Sequence, residues 1–162
     1  MILELGGRAA DGVHLSYLHE DVMADAVVAI RAAAGDRPLK LSYTTMIVTT
    51  DAELETARDQ MSFRLVDSPP DIRDRIDLSP ADVESLRAEL GAGGPGGAGR
   101  LVVDEWVLPF VISGTLAECR AELDRLAARD GLDEFQVTVL DIDQAESLIE
   151  RGAALVNGEH GP

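Results

Sequence analysis

Three segments of this chain read as β-strands, and each runs on into a helical segment, a pattern that restricts the fold more than any other feature. "DGVHLSY" (residues 11–17) carries Val13, Leu15 and Tyr17 at alternating positions. "PLKLSYTTMIVTT" (38–50) is dense in β-branched and aromatic residues, with Pro38 at its start. The centre of "DEFQVTVLDI", Phe135 to Ile142, is the third. Strands that alternate with helices pair in parallel through right-handed crossovers. Three parallel strands leave two open edges, which larger folds cover or close.

The intervening segments supply the helices. Val22, Met23, Ala26, Val27 and Ile30 recur at helical spacing in "HEDVMADAVVAIRAAAG", with acids in the first turn and Gly35 as the stop. Thr50 with Glu53 and Thr115 with Glu118 are capping boxes, opening helices from Asp51 and from Leu116. Ser79 and Pro80 open another helix. Pairs at Val102/Val103, Trp106/Val107 and Phe110/Val111 predict a short helix ended by Pro109. "GAGGPGGAG" (91–99) reads as a flexible linker, because it lacks the preceding strand and the lysine of a phosphate-binding loop. A final helix is expected over "DQAESLIERGAAL" (143–155). The opening "GGRAADGVHLSY" reads as the tail of a helix entering a strand, as though the chain starts inside a structural unit.

Charge and composition exclude several functions. Asp and Glu number 30 against 14 Lys and Arg, a net charge of −16. Such a surface repels polyanions, so neither nucleic acid nor an anionic membrane is the expected partner. No apolar run approaches the roughly 20 residues that span a bilayer, and no signal-peptide pattern opens the chain, so a cytoplasmic location is expected. The lone Cys119 excludes an internal disulfide and a cysteine-rich metal site, and it lies in a helical pattern that predicts a buried thiol.

Three blocks of the sequence, in order, resemble the luciferase-like flavin-dependent monooxygenases and their deazaflavin-dependent relatives. They are "LELGGRAADGVHLSYLHEDV", "KLSYTTMIVTTDAELETAR" and "FVISGTLAECRAELDRLAARDGLDEFQVTV", which together span about residues 3 to 141. The family fold is a TIM barrel of eight βα units, typically about 250 residues. The resemblance covers only its C-terminal part. It implies an α/β fold with a partial TIM barrel over residues 1–155, carrying a helical and glycine-rich excursion over 60–111, and a polar tail over 156–162. About three parallel strands would then be completed by a partner chain, a separately encoded N-terminal luciferase-like half-barrel. The apolar side chains of Val13, Leu15, Met46, Val48, Val137 and Val139 are expected to need that partner.

The resemblance implies a two-component monooxygenase that uses reduced FMN from a separate flavin reductase. It would hydroxylate a small organic substrate or insert oxygen beside a ketone, in a role such as natural-product biosynthesis, with most cofactor contacts made by the partner. An F420-dependent hydride-transfer oxidoreductase is the alternative within enzymes. A non-catalytic half-barrel that stabilises another protein is the alternative outside them.

Barrel active sites lie at the C-terminal ends of the strands. That rule selects Ser16, Tyr17, Leu18 and His19, then Ile47 to Thr50, then Asp141 to Asp143. The pocket candidates are His14, Ser16, Tyr17, His19 and Thr49, with Trp106 and Phe110 as pocket wall or core. His14 and His19 also have structural readings, in packing and in helix capping. Ser113, Gly114 and Thr115 cap a helix whose amides are candidates for an anion. No metal site, P-loop, dinucleotide fingerprint or Ser-His-Asp set is visible, and no catalytic residue is singled out.

Overall fold

A computed structural model describes residues 2–139, 142 and 145–157. The chain divides into two compact units, one formed by residues 1–47 with 114–162 and the other by Val48–Ser113.

The first unit is a three-stranded parallel sheet with helices. In chain order it contains α1 (Ile2–Ala9), β1 (Gly12–Ser16), α2 (Glu20–Ala34) and β2 (Lys40–Thr45). The chain then reaches β3 (Ile47–Val48) and enters the second unit. That unit holds α3 (Asp51–Asp67), α4 (Pro70–Arg75), α5 (Pro80–Gly99), α6 (Asp104–Val107), a 3-10 turn (Leu108–Phe110) and β4 (Ile112–Ser113). The first unit resumes with α7 (Leu116–Asp130), β5 (Glu134–Val137) and α8 (Ala145–Asn157).

Sheet order is β1-β2-β5, all parallel, with Leu15 opposite Tyr43 and Tyr43 opposite Phe135. Neighbours in space are successive strands of this unit, so right-handed crossovers place the connecting helices on one face of the sheet. Leu15, Leu41, Tyr43 and Thr45 are buried, and Met23, Val27, Ile30, Cys119 and Leu126 of α2 and α7 are buried with them. Gly7 shows how closely α1 and α2 approach: a Cβ there would stand 2.4 Å from the Ile30 carbonyl oxygen. At the N-terminal end of the sheet, Asp133 Oδ2 accepts the Leu41 amide at 2.8 Å. Arg31 donates there to the carbonyls of Leu39 (2.7 Å) and Gly131 (2.9 Å). Across α2 and α7, Glu20 is held by Arg125 and Arg129. The Arg125 hydrogen bond foremost lowers the Glu20 carboxyl below its ordinary value.

Three expectations of local structure differ: the end of the third strand, the role of Pro109 and the state of the glycine-rich run. The third strand ends at Val137 rather than Ile142, because its last partner, Thr45, is the last residue of β2; residues 140 and 141 lie outside the described residues. Pro109 does not end a helix but lies in the 3-10 turn after α6, where a missing N–H costs nothing. Leu15, Met46 and Val48 are buried within the chain itself, whereas Val137 and Val139 are exposed.

The glycine-rich run is helical. It forms the second half of α5, which bends at Gly94 (φ 66°) and restarts at Pro95. Glycine is needed in this unit because α3 lies against it: a Cβ on Gly99 would fall 1.9 Å from Asp59 Oδ1 and 3.0 Å from Asp59 Cα. Ala57, Met61 and Leu65 of α3 form the unit's core with Val83 and Leu86 of α5, Val107 and Phe110. Arg58 pairs with Asp104 at 2.6 Å.

Candidate functional site

The face of the three-stranded sheet opposite its helices is polar and largely uncovered. In a strand, alternate residues point to opposite faces, so burial of Leu15, Leu41 and Tyr43 turns their neighbours the other way. Register then sets two rows across the sheet: His14, Ser42 and Glu134, followed by Ser16, Thr44 and Gln136. Every member is exposed or half-exposed. The His14 Nδ1 and Ser42 Oγ atoms are 2.9 Å apart and hydrogen-bonded.

Beyond the second row, at the C-terminal ends of the strands, three hydroxyls form a chain. Thr44 Oγ1 donates to the Gln136 carbonyl at 2.6 Å. Its only proton is thereby committed, so Thr138 is the donor in the 2.9 Å bond between the two threonines. Tyr17 donates its phenol proton to Thr138 at 3.2 Å. All three protons therefore run one way, from Tyr17 toward Gln136, an arrangement in which each bond polarises the next. Tyr17 itself has φ 50°, an uncommon backbone conformation for a non-glycine residue. Its amide donates to the Thr44 carbonyl at 3.0 Å and anchors that turn to β2.

The fold thus brings His14, Ser16 and Tyr17 to one surface and adds Ser42, Thr44, Gln136 and Thr138, which the sequence reading passed over. Their signal is the polar half of the alternation in "KLSYTT" and "EFQVT", which contrasts with the apolar half used to recognise the strands. His19 is turned to its own helix: its Nδ1 accepts the Asp21 amide at 3.3 Å and caps α2. Thr49 lies in the other unit, where its amide and hydroxyl donate to Glu53 Oε2 at 2.7 and 2.9 Å. Trp106 is half-buried and Phe110 buried in that unit. Ser113 closes it.

Gly114 and Thr115 open the resumed first unit, with a carboxylate where an anion would bind. The Thr115 amide and hydroxyl both donate to Glu118 Oε2 at 2.8 Å, which lowers the Glu118 carboxyl below its ordinary value. Residues 141 and 143 lie outside the described residues. Among the described residues no group of three His, Cys, Asp or Glu side chains could hold a metal. No helix among them is long and apolar enough to cross a membrane.

The two polar rows suit a ligand with a polar ring edge or a hydroxylated chain. The one lysine on this face, Lys40, lies at the N-terminal end of β2 and pairs with Glu134 at 3.8 Å.

Among solved structures, coenzyme F420-dependent tetrahydromethanopterin reductase from Methanopyrus kandleri superposes with a TM-score of 0.75 at 22% identity, over 92% of this chain and 45% of its own. The fold is α/β, with three parallel strands that match part of a TIM barrel. EDTA monooxygenase from Chelativorans sp. BNC1 matches with a TM-score of 0.54 at 14% identity, over 96% of this chain and 41% of its own. Apo-MsnO8 matches with a TM-score of 0.50 at 21% identity, covering 96% and 47%. The chain thus spans less than half the length of each of these three structures. No family model and no curated protein matches its sequence. Tyr17 and Thr138 lie just beyond the C-terminal ends of β1 and β5.

Proposed function

We propose that this chain forms one side of the active-site barrel of a flavin-type oxidoreductase, a two-component FMNH2-dependent monooxygenase acting on a small organic substrate. The carrying observation is the polar inner face, with its directed hydroxyl chain from Tyr17 through Thr138 and Thr44, on a luciferase-like fold. A barrel wall that served packing alone would carry branched apolar side chains in these rows. Reduced FMN, delivered by a separate reductase, would supply the oxygen chemistry, and the protein would position it and exclude water. Tyr17, Thr138 and Ser16 would orient the cofactor or substrate at the mouth, and His14 with Ser42 would line the wall below. Most cofactor contacts, including those to its phosphate, would come from the rest of the barrel.

A second reading, F420-dependent hydride transfer, is favoured by the higher TM-score of the F420-dependent reductase, 0.75 against 0.54 for the monooxygenase. Fluorescence titration of FMN and of F420 against the assembled protein distinguishes the two. Saturable FMN binding, at least 10-fold tighter than F420 binding and weakened by Tyr17→Phe, supports the monooxygenase reading. Preferential F420 binding supports the second reading, and binding of neither defeats both.

A further inference from the structure

We infer that Tyr17 presents its phenol oxygen to the bound ligand as a hydrogen-bond acceptor, so that the site takes a ring edge bearing an N–H donor of the cyclic imide class. The inference rests on the flavin-type reading above, and adds which polarity of ligand group the site selects.

An isolated tyrosine hydroxyl rotates, and so serves donors and acceptors alike. Here that freedom is removed from the far end of the hydroxyl chain. The Gln136 backbone carbonyl can only accept, so Thr44 gives it a proton at 2.6 Å. Thr138 must then donate to Thr44 at 2.9 Å, and Tyr17 to Thr138 at 3.2 Å. Reversing any one of these bonds would set two protons or two lone pairs against each other. The phenol's single proton is committed within the protein, and toward any approaching group the oxygen offers lone-pair density. Because each bond polarises the next, a phenol that donates is also a better acceptor.

The phenol is fixed in place as well as in polarity. Tyr17 holds φ 50°, in the left-handed region where a large side chain persists only when its surroundings over-determine it. Two bonds do so here, from its amide to the Thr44 carbonyl at 3.0 Å and from its phenol to Thr138. Packing does not account for the residue, because Tyr17 is only half-buried and lies past the end of β1. Ser16 and Gln136, level with Thr44 on either side of it, carry a hydroxyl and an amide donor. Those donors suit the two carbonyls that flank an imide N–H, and the acceptor at Tyr17 suits the N–H between them. The oxidised flavin ring carries one N–H, in this imide, and the deazaflavin ring of F420 carries the same group. A ligand edge made of acceptors alone would face the lone pairs of Tyr17 unpaired.

The test titrates the protein, expressed in and purified from its own host, with FMN, F420 and the imide N-methyl derivative of each, followed by fluorescence. Methylation should weaken binding of the preferred cofactor by about 10-fold or more. Tyr17→Phe should weaken the parent cofactor by about 10-fold and leave the methylated one within about 2-fold, erasing the discrimination. Thr138→Val releases the phenol proton and lets Tyr17 donate to a ring carbonyl, so discrimination should fall below about 3-fold. Where a variant fails to fold by circular dichroism, fluorination of the Tyr17 ring beside its hydroxyl decides. It weakens the oxygen as an acceptor and strengthens the proton as a donor, so cofactor affinity should fall. Three results overturn the inference and leave the cofactor reading standing. They are discrimination that survives Tyr17→Phe (a methyl rejected by shape alone), equal weakening of parent and methylated cofactor by that variant, and affinity unchanged or raised on fluorination. Binding of neither FMN nor F420 defeats the reading and the inference with it.

Discussion

Tyr17 and Thr138, at the ends of the two outer strands, meet across β2 in a 3.2 Å hydrogen bond in which the phenol is the donor. Thr138 passes its own proton on to Thr44, so it sits in two bonds of the chain and Tyr17 in one. Thr138→Val should therefore cost about 2 kcal/mol and Tyr17→Phe about 1 kcal/mol in denaturant titrations. The double variant should fall short of the sum by about 0.5–1 kcal/mol. Strict additivity would mean that the two hydroxyls act independently.

Gly99 is a packing residue. Its missing side chain leaves room for the Asp59 carboxylate, which Gly99→Ala must displace while its Cβ stands 3.0 Å from the Asp59 Cα. Overpacking of this kind costs about 1–3 kcal/mol. Gly91, with nothing within 4 Å of a built Cβ, is the control, and Gly91→Ala should be neutral or slightly stabilising. Equal effects at the two positions would restore the linker reading of "GAGGPGGAG".

Tyr43 gives the fold an alkaline limit. Burial pushes its phenol up to about 12 from 10.0, against an opposing hydrogen bond with Thr45. The folded value lies above the unfolded one, so the stabilisation is fully present below pH 10 and is lost as pH rises through about 12. The loss is on the order of 2–3 kcal/mol. Tyr43→Phe should flatten stability between those two values, as read by urea titrations at stepped pH. An unchanged slope in the variant would assign the alkaline loss to other groups.

The sequence made the strands and helix starts legible because both depend on local chemistry. Alternation marked β1 and β2, and the boxes at Thr50/Glu53 and Thr115/Glu118 form as read. Where the outcome turned on tertiary packing, local reading failed. The helical state of residues 91–99 depends on α3 beside them, and β5 stops where its partner stops. The site was half legible: His14, Ser16 and Tyr17 follow from strand ends. Ser42, Thr44, Gln136 and Thr138 became visible only once register aligned three strands from distant parts of the chain. Of the apolar side chains expected to need a partner, Leu15, Met46 and Val48 are buried within the chain, and Val137 and Val139 are exposed. Local helices cover much of the apolar face, and the polar face and the two edges remain.

An open, three-stranded sheet has a direct signature in residue-resolved hydrogen exchange on the free chain. Protection should alternate along β1 and β5: slow at Val13, Leu15 and Phe135, and at least 100-fold faster at His14, Ser16, Glu134 and Gln136. Uniform slow exchange along both strands would show that the edges are already paired within the chain, and would contradict the barrel-wall account.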